Sequence, residues 1–301
     1  MRSLLFAVLM LCPLVAEAAD AGRVVEVWTR RAGKHAGFSR GRDGLSAVDL
    51  SRLPQEERTL VDAQLGETHK YRGVPLQAIL EAAPPGAEPD LLLLHFRNGM
   101  LVPLPFRDAK AMARLDVFVA LAVEAEAGGK KAFTSDFPPL RKKGAEDRDS
   151  RPIFFDGNKV VVKTRWLPAT GLDGPDAFSP WAHVDRLDGV EYVKAAAWRK
   201  QFAVGDEATQ KGLDVFLSRC AFCHGLRKVG ADYGWDFVDP IPIASIRPAG
   251  ALVLHARYRE GDAPERGLMM PSIKEFSDAD AKLLWKWLKV AGDVDLKPYE
   301  P

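Results

Sequence analysis

The stretch 212-GLDVFLSRCAFCHGL-226 decides how the C-terminal third of this chain is read. Leu213, Phe216 and Leu217 recur at i, i+3 and i+4, the stripe of an amphipathic helix, and Cys220 continues it four residues past Phe216. Gly212 lies one turn before Phe216, where a missing side chain lets a second helix come close. The stripe then runs into CAFCH, residues 220–224: two cysteines three apart, with a histidine directly after.

Three chemistries use such a spacing. A structural zinc site needs four ligands, and a catalytic one needs three plus an open position. The sequence has three cysteines in all, and the third, Cys12, lies in an N-terminal apolar run. His35, His69, His95, His183 and His255 form no pair at ligand spacing. A thioredoxin-like dithiol follows a strand and opens a helix, whereas the upstream segment GDEATQKGLDVFLSR reads as helix. A disulfide across two intervening residues makes a tight loop, and it leaves His224 without a role. The third chemistry uses all three side chains. Residues three apart share a helical face, so Cys220 and Cys223 can each form a thioether to one haem vinyl, with His224 as proximal iron ligand. C-x-x-C-H is the sequence mark of that attachment.

The flanks agree with this reading. In FSDADAKLLWKWLKVAG, Ser277 and Asp280 form a capping-box-like start. Ala281, Leu284, Trp285 and Leu288 make an apolar face, Trp287 widens it, and Gly292 is a candidate stop. Between the helices, Met270 precedes Pro271, which restrains the chain, and Met270 is the candidate distal ligand. Met269 competes by adjacency. His255, on an expected helix, is the alternative of a different kind.

The first residues bear on compartment. Arg2, an apolar run from Leu4 to Val15 and Ala16-Glu17-Ala18 have the order of a cleavable signal peptide, residues 1–18. The run is about 12 residues, short of the roughly 20 that span a bilayer as a helix. A periplasmic chain is expected, without a transmembrane segment after cleavage. The formal net charge of +1 provides no basic field for nucleic acid.

With GLDVFLSRCAFCHGL, LMMPSI and FSDADAKLLWKWL in place, residues from about 205 to 296 resemble a small class I cytochrome c domain. The resemblance implies one covalent haem c on Cys220 and Cys223, iron ligated by His224 and Met270, and an all-α domain over 205–298. A Met/His pair holds the haem potential above that of a His/His pair. The segment VGADYGWDFVDPIPIASI departs from the family. There a proline soon after the motif backs the histidine with its carbonyl, whereas Pro240 and Pro242 come late. The group that orients His224 is left open.

Residues 19–200 read as α+β. RVVEVWT alternates as a strand, LSAVDLSRLPQEERTLV gives mixed helix and loop signals, and DLLLLHFRNGMLVPLPF reads as a hairpin around a two-residue Asn98-Gly99 turn. VFVALAV is a strand or a helix end, and FDGNKVVVKTRW and WAHVDRLDGVEYVKAAAW add strands. Trp181 is assigned to core packing. YRGVPLQAILEAA followed by LLLLHFRNGMLVPLPFRDA resembles the molybdopterin-binding fold of sulfite-oxidase-type proteins. Those enzymes hold molybdenum through a cysteine upstream of the G-V-P-L element, and TLVDAQLGETHKYRGVPL has none. No molybdenum is expected. Arg72, His69 and Arg97 are candidates for a residual anion pocket, against a reading as solvated loop residues.

The resulting expectation is a two-domain chain, a sulfite-oxidase-like α+β domain followed by the all-α cytochrome c domain. Its function would be periplasmic mono-haem electron transfer, with the front domain docking a redox partner protein or binding a ligand. The alternative is the haem-bearing subunit of a periplasmic oxidoreductase whose front domain binds substrate or a cofactor. No catalytic residues are assigned.

Overall fold

A computed structural model of the chain describes residues 23–30, 42–62, 67–86, 88–106, 116–138, 157–162, 181, 184–258, 273 and 276–293. The expected signal peptide, His35, His183, Met269, Met270 and Pro271 lie outside the described residues, as does the side chain of His255.

Two sheets form the larger part. The first is built from β1 (Val24–Arg30), β2 (Arg42–Asp49), β5 (Leu91–Phe96), β6 (Leu101–Pro105) and β10 (Leu187–Val193), in the order β2-β1-β10-β5-β6. β1 and β10 run parallel, Val27 facing Val190, and the other neighbours are antiparallel. The second sheet takes β3 (Glu56–Val61), β4 (Thr68–Pro75), β7 (Phe118–Ala127) and β8 (Lys130–Thr134) in that order, and β9 (Lys159–Val161) pairs with β7. Helix α1 (Leu76–Ala82) follows β4 directly, with Pro75 in the position before its first turn.

The four-leucine run 91–94 shows why the first sheet is central. Side chains alternate along a strand. Leu92 and Leu94 face a core shared with Val74, Leu76, Ile79 and Val119. Leu91 and Leu93 face the opposite way, into a core with Phe202, Leu213, Phe216 and Trp287. A strand covered on both faces needs an unbroken apolar run, which is what 91–94 supplies.

The C-terminal part contains α2 (Ala195–Lys200), α3 (Glu207–Arg219), α4 (Ile243–Ile246), α5 (Ala249–Tyr258) and α6 (Asp278–Asp293). α3 starts at Asp206, whose carboxylate accepts from Thr209 N at 3.0 Å. α6 starts with the reciprocal pair Ser277–Asp280, at 3.0 and 3.1 Å. The two helices meet at Gly212: a Cβ there would lie 2.3 Å from the Leu283 carbonyl oxygen and 2.4 Å from Trp287 Cβ.

The expected fold class is overturned. The molecule is a sheet-rich α+β structure, and among the described residues no separate all-α cytochrome c domain follows the sheets. Within the region expected to be all-α, β11 (Gly225–Leu226) pairs with β12 (Val229–Gly230). The region also shares its cores with the first sheet. Leu91, Leu93, Leu101 and Val193 pack among its helices, while Phe222, Cys223 and Tyr233 pack into the core between the sheets. The helical period of 213–220 stands as expected, whereas on α6 the buried face is Ala281, Leu284, Trp287, Leu288 and Ala291, with Trp285 only partly buried, and the helix runs through Gly292 to Asp293; neither period says what the outer sides of those helices touch.

Two local expectations also change. Residues 45–61, which carry mixed helix and loop signals, form most of strand β2 and all of β3 around a short 3-10 turn, Leu50–Arg52. The β5–β6 hairpin has a three-residue loop in place of the two-residue turn. Gly99 N donates to Phe96 O at 2.9 Å, Phe96 N donates to Met100 O at 3.0 Å, and Gly99 takes φ +86°. A type I turn closed by a left-handed glycine produces this pattern.

Candidate haem-attachment site

The CAFCH segment continues α3 as further turns. Cys220 N donates to Phe216 O at 2.8 Å, Cys223 N to Cys220 O at 3.1 Å, and His224 N to Cys220 O at 2.9 Å. The segment sits where the two cores meet. Cys220 and Ala221 belong to the helical core, and Phe222 and Cys223 to the core between the sheets. Burial of a side chain such as Phe222 contributes about 1.5–3 kcal/mol. Two backbone bonds add to the anchorage: Leu101 N donates to Phe222 O at 3.0 Å, and Asp232 N donates to Gly99 O at 2.8 Å. A Cβ on Gly99 would fall 2.7 Å from the Asp232 carbonyl carbon, so the hairpin tip and the segment after the motif touch backbone to backbone.

Both thiols are buried and are not bonded to each other. Burial pushes each up to about 12, Arg219 opposing it slightly for Cys220 and Cys220 adding to it for Cys223. A sulfur held protonated is a poor thiolate ligand and a poor redox nucleophile.

His224 is half-buried and packs against Phe237 with the rings tilted by 31° and their centroids 4.5 Å apart. Its Nδ1 lies 2.8 Å from the carbonyl oxygen of Trp235. A carbonyl only accepts, so Nδ1 carries the proton and donates, and Nε2 is left with the lone pair. Burial lowers the His224 pKa, with the Trp235 carbonyl and Asp236 opposing. The neutral imidazole is the form that binds a metal. The group that orients this ring, left open by the sequence, is the Trp235 backbone.

Residues 234–236 make that contact possible. Gly234 N donates to Cys223 O at 2.6 Å, and a Cβ at 234 would lie 2.5 Å from His224 Cε1. The next acid, Asp236, gathers four backbone amides. Its Oδ1 accepts from Arg227 N (3.0 Å), Val238 N (2.8 Å) and Asp239 N (3.0 Å), and its Oδ2 accepts from Lys228 N at 2.6 Å. Arg227 and Lys228 are the two turn residues between β11 and β12, with φ of +57° and +62°. Non-glycine residues adopt that region reluctantly, and the carboxylate holds them there. Gly234, Trp235 and Asp236 were missed as site residues. Their signal was present as a glycine followed by an Asx-turn residue, Asp236-Phe237-Val238.

The thiol pair and the imidazole fit a c-type haem. The cysteines are three apart on helical turns, and His224 keeps its Nε2 lone pair with the tautomer set by the Trp235 carbonyl. Met270, Met269 and the His255 side chain, the candidates for the other axial position, lie outside the described residues.

The front-region candidates do not converge. Arg72 pairs with Glu57 at 2.9 Å and lies over the Phe133 ring. Arg97 forms a two-pronged contact with Asp185, at 2.8 and 3.0 Å. His69 lies 3.4 Å from Glu67 and against Tyr71. Trp181 is buried in the core between the sheets. A buried polar cluster that the sequence did not reveal sits on the second sheet: Asp62 Oδ2 lies 2.5 Å from both Lys159 Nζ and Tyr71 Oη. Among the described residues, no group of three or more His, Cys, Asp or Glu could hold a metal ion. No helix of the described residues is long and apolar enough to cross a membrane. No protein-family model matches the chain, and no curated protein matches it.

Proposed function

We propose that the chain is a periplasmic, mono-haem c-type electron-transfer protein. One haem would be bound covalently through Cys220 and Cys223, with His224 Nε2 as one axial iron ligand and Met270 as the other. The observation that carries this reading is the His224 tautomer: Nδ1–H is held by the Trp235 carbonyl, directly beside two buried thiols. Such an outer hydrogen bond is the usual support of a metal-binding histidine.

A haem iron supplies a one-electron couple, and the chain's own residues have three tasks around it. The helical turns of 220–224 fix the two sulfurs relative to the imidazole. The Trp235 carbonyl holds the ring's orientation and proton. The packing of Phe222 and Cys223 into the sheet core, with the bond from Leu101 N to Phe222 O, ties the motif to a rigid scaffold. The sheets would serve as the docking platform for a redox partner protein or a ligand. Their link to the motif supports an electron path that stays within covalent and hydrogen bonds from Cys223 to β6.

The test is expression of the exported chain with haem-maturation machinery, followed by a pyridine haemochrome spectrum. A c-type spectrum with both vinyls saturated supports the proposal, and a chain without covalent haem refutes it.

A further inference from the structure

We propose that Asp236 is a positioning residue for the iron ligand: through its four backbone hydrogen bonds it places the Trp235 carbonyl on His224 Nδ1, and so sets how strongly the imidazole donates to iron. The inference rests on the haem reading above and names the residue that tunes the site.

Asp236 follows the residue whose carbonyl meets His224. Its carboxylate reaches back to both left-handed turn residues, Arg227 and Lys228, and forward to Val238 and Asp239. The Trp235 peptide is thereby held between two segments, one joined to the motif through β11 and the other leading to α4. From the near side, Gly234 N bonds the Cys223 carbonyl at 2.6 Å. Phe237 N donates to Gly225 O at 3.1 Å and closes the loop from the far side. The Trp235 side chain contributes little to this placement, being 75% exposed. It is the backbone that acts, and Asp236 fixes the backbone.

A hydrogen bond donated by Nδ1–H raises the basicity of the ligating nitrogen. A more basic ligand favours the ferric state and lowers the reduction potential, one of the means by which a protein tunes a haem. Weakening the Trp235 contact therefore raises the potential. Loss of the carboxylate's negative charge would also raise it, and substitutions separate the two causes. Asp236→Asn removes the charge but keeps the Oδ1 acceptor for three of the four amides. Asp236→Glu keeps the charge but displaces the carboxylate by a methylene. Asp236→Ala removes both.

The experiment uses the full haem-bearing chain. Two quantities are read for each variant: the midpoint potential, and the hydrogen-exchange rate of the His224 Nδ1–H resonance. Asp236→Ala and Asp236→Glu are expected to speed that exchange by roughly tenfold, the worth of one hydrogen bond, and to raise the potential. Asp236→Asn is expected to leave the exchange rate near that of the unaltered chain. If Asp236→Ala does not accumulate with haem, Asp236→Glu against Asp236→Asn decides alone. Unchanged exchange in Asp236→Glu overturns the assignment, as does a potential that follows charge alone, shifted in Asn and unshifted in Glu. A chain that carries no covalent haem even when unaltered overturns the underlying haem reading.

Discussion

His224 and Trp235 are joined by a 2.8 Å hydrogen bond from imidazole Nδ1–H to a backbone carbonyl. The contact leaves the lone pair on Nε2 and requires a glycine beside the ring. Gly234→Ala would place a Cβ 2.5 Å from His224 Cε1. We expect the ring to be displaced, with a stability loss of about 1–3 kcal/mol, the usual cost of overpacking. Denaturant unfolding of the variant measures the loss, and the optical spectrum of the haem-bearing form reports the disturbed ligation. Unaltered stability and spectrum together would show that the loop yields freely.

The sheet and the motif are predicted to be coupled through the hairpin tip. Gly99 has φ +86°, and its Cβ position meets the Asp232 backbone at 2.7 Å. Gly99→Ala therefore combines backbone strain of about 1–3 kcal/mol with a clash against the segment that leads to Gly234. The expected outcome is a lower unfolding midpoint and a changed haem potential, measured by thermal melting and redox titration. A variant that loses stability but keeps its potential would mean that the tip carries load without influencing the site.

Burial of the thiols makes a pH prediction for the haem-free chain. With Cys220 and Cys223 pushed up to about 12, alkylation at pH 8 should proceed roughly a thousandfold more slowly than for an ordinary thiol of pKa near 8.5. The sign is fixed by the thiolate fraction: the rate should climb about tenfold per pH unit, without levelling off near pH 9. Mass spectrometry after timed iodoacetamide treatment reads it. Rapid modification at pH 8 in the folded chain would contradict the burial.

On the second sheet, Lys159 and Asp62 are an ion pair buried on both sides, with relative side-chain exposures of 1% and 2%, and Tyr71 Oη donates to the same carboxylate oxygen. Burial lowers the Lys159 pKa, against the attraction of Asp62. Removing one partner strands the other, at a cost of about 3–5 kcal/mol. Lys159→Met and Asp62→Asn should each lose that much in urea unfolding, and the double variant should lose less than the sum. Strict additivity would show that the two residues act independently.

How much of this was legible in the sequence depends on the distance over which each feature is built. The α3 stripe and the close approach at Gly212 are local, and they stand in the structure as read. The 91–94 and 101–104 runs are equally local, and they form the expected strands. The β11–β12 pair was not legible because its turn is Arg227-Lys228 in place of a residue pair suited to positive φ, and the acid that makes it possible lies at 236. The parallel pairing of Val27 with Val190 joins residues far apart in the chain and leaves no local trace. The shared cores are the same kind of feature. Nothing in CAFCH indicates that Phe222 packs into the core under a sheet built from residues 24–30, 42–49, 91–96, 101–105 and 187–193, and that contact ties the expected all-α region to the sheets. At the site, the C-x-x-C-H spacing pointed to Cys220, Cys223 and His224, and the helix period placed Cys220 on the apolar stripe. The loop holding the imidazole needed three dimensions to be seen.

The most direct test of the central claim is the haem content of the purified full-length chain after export alongside haem-maturation machinery. The account predicts one covalently bound haem per chain, a pyridine haemochrome spectrum of a haem with both vinyls saturated, and loss of covalent attachment when Cys220 and Cys223 are both replaced by alanine. A chain that emerges from the same expression without bound haem, or with haem that extracts into acidified organic solvent, would contradict it.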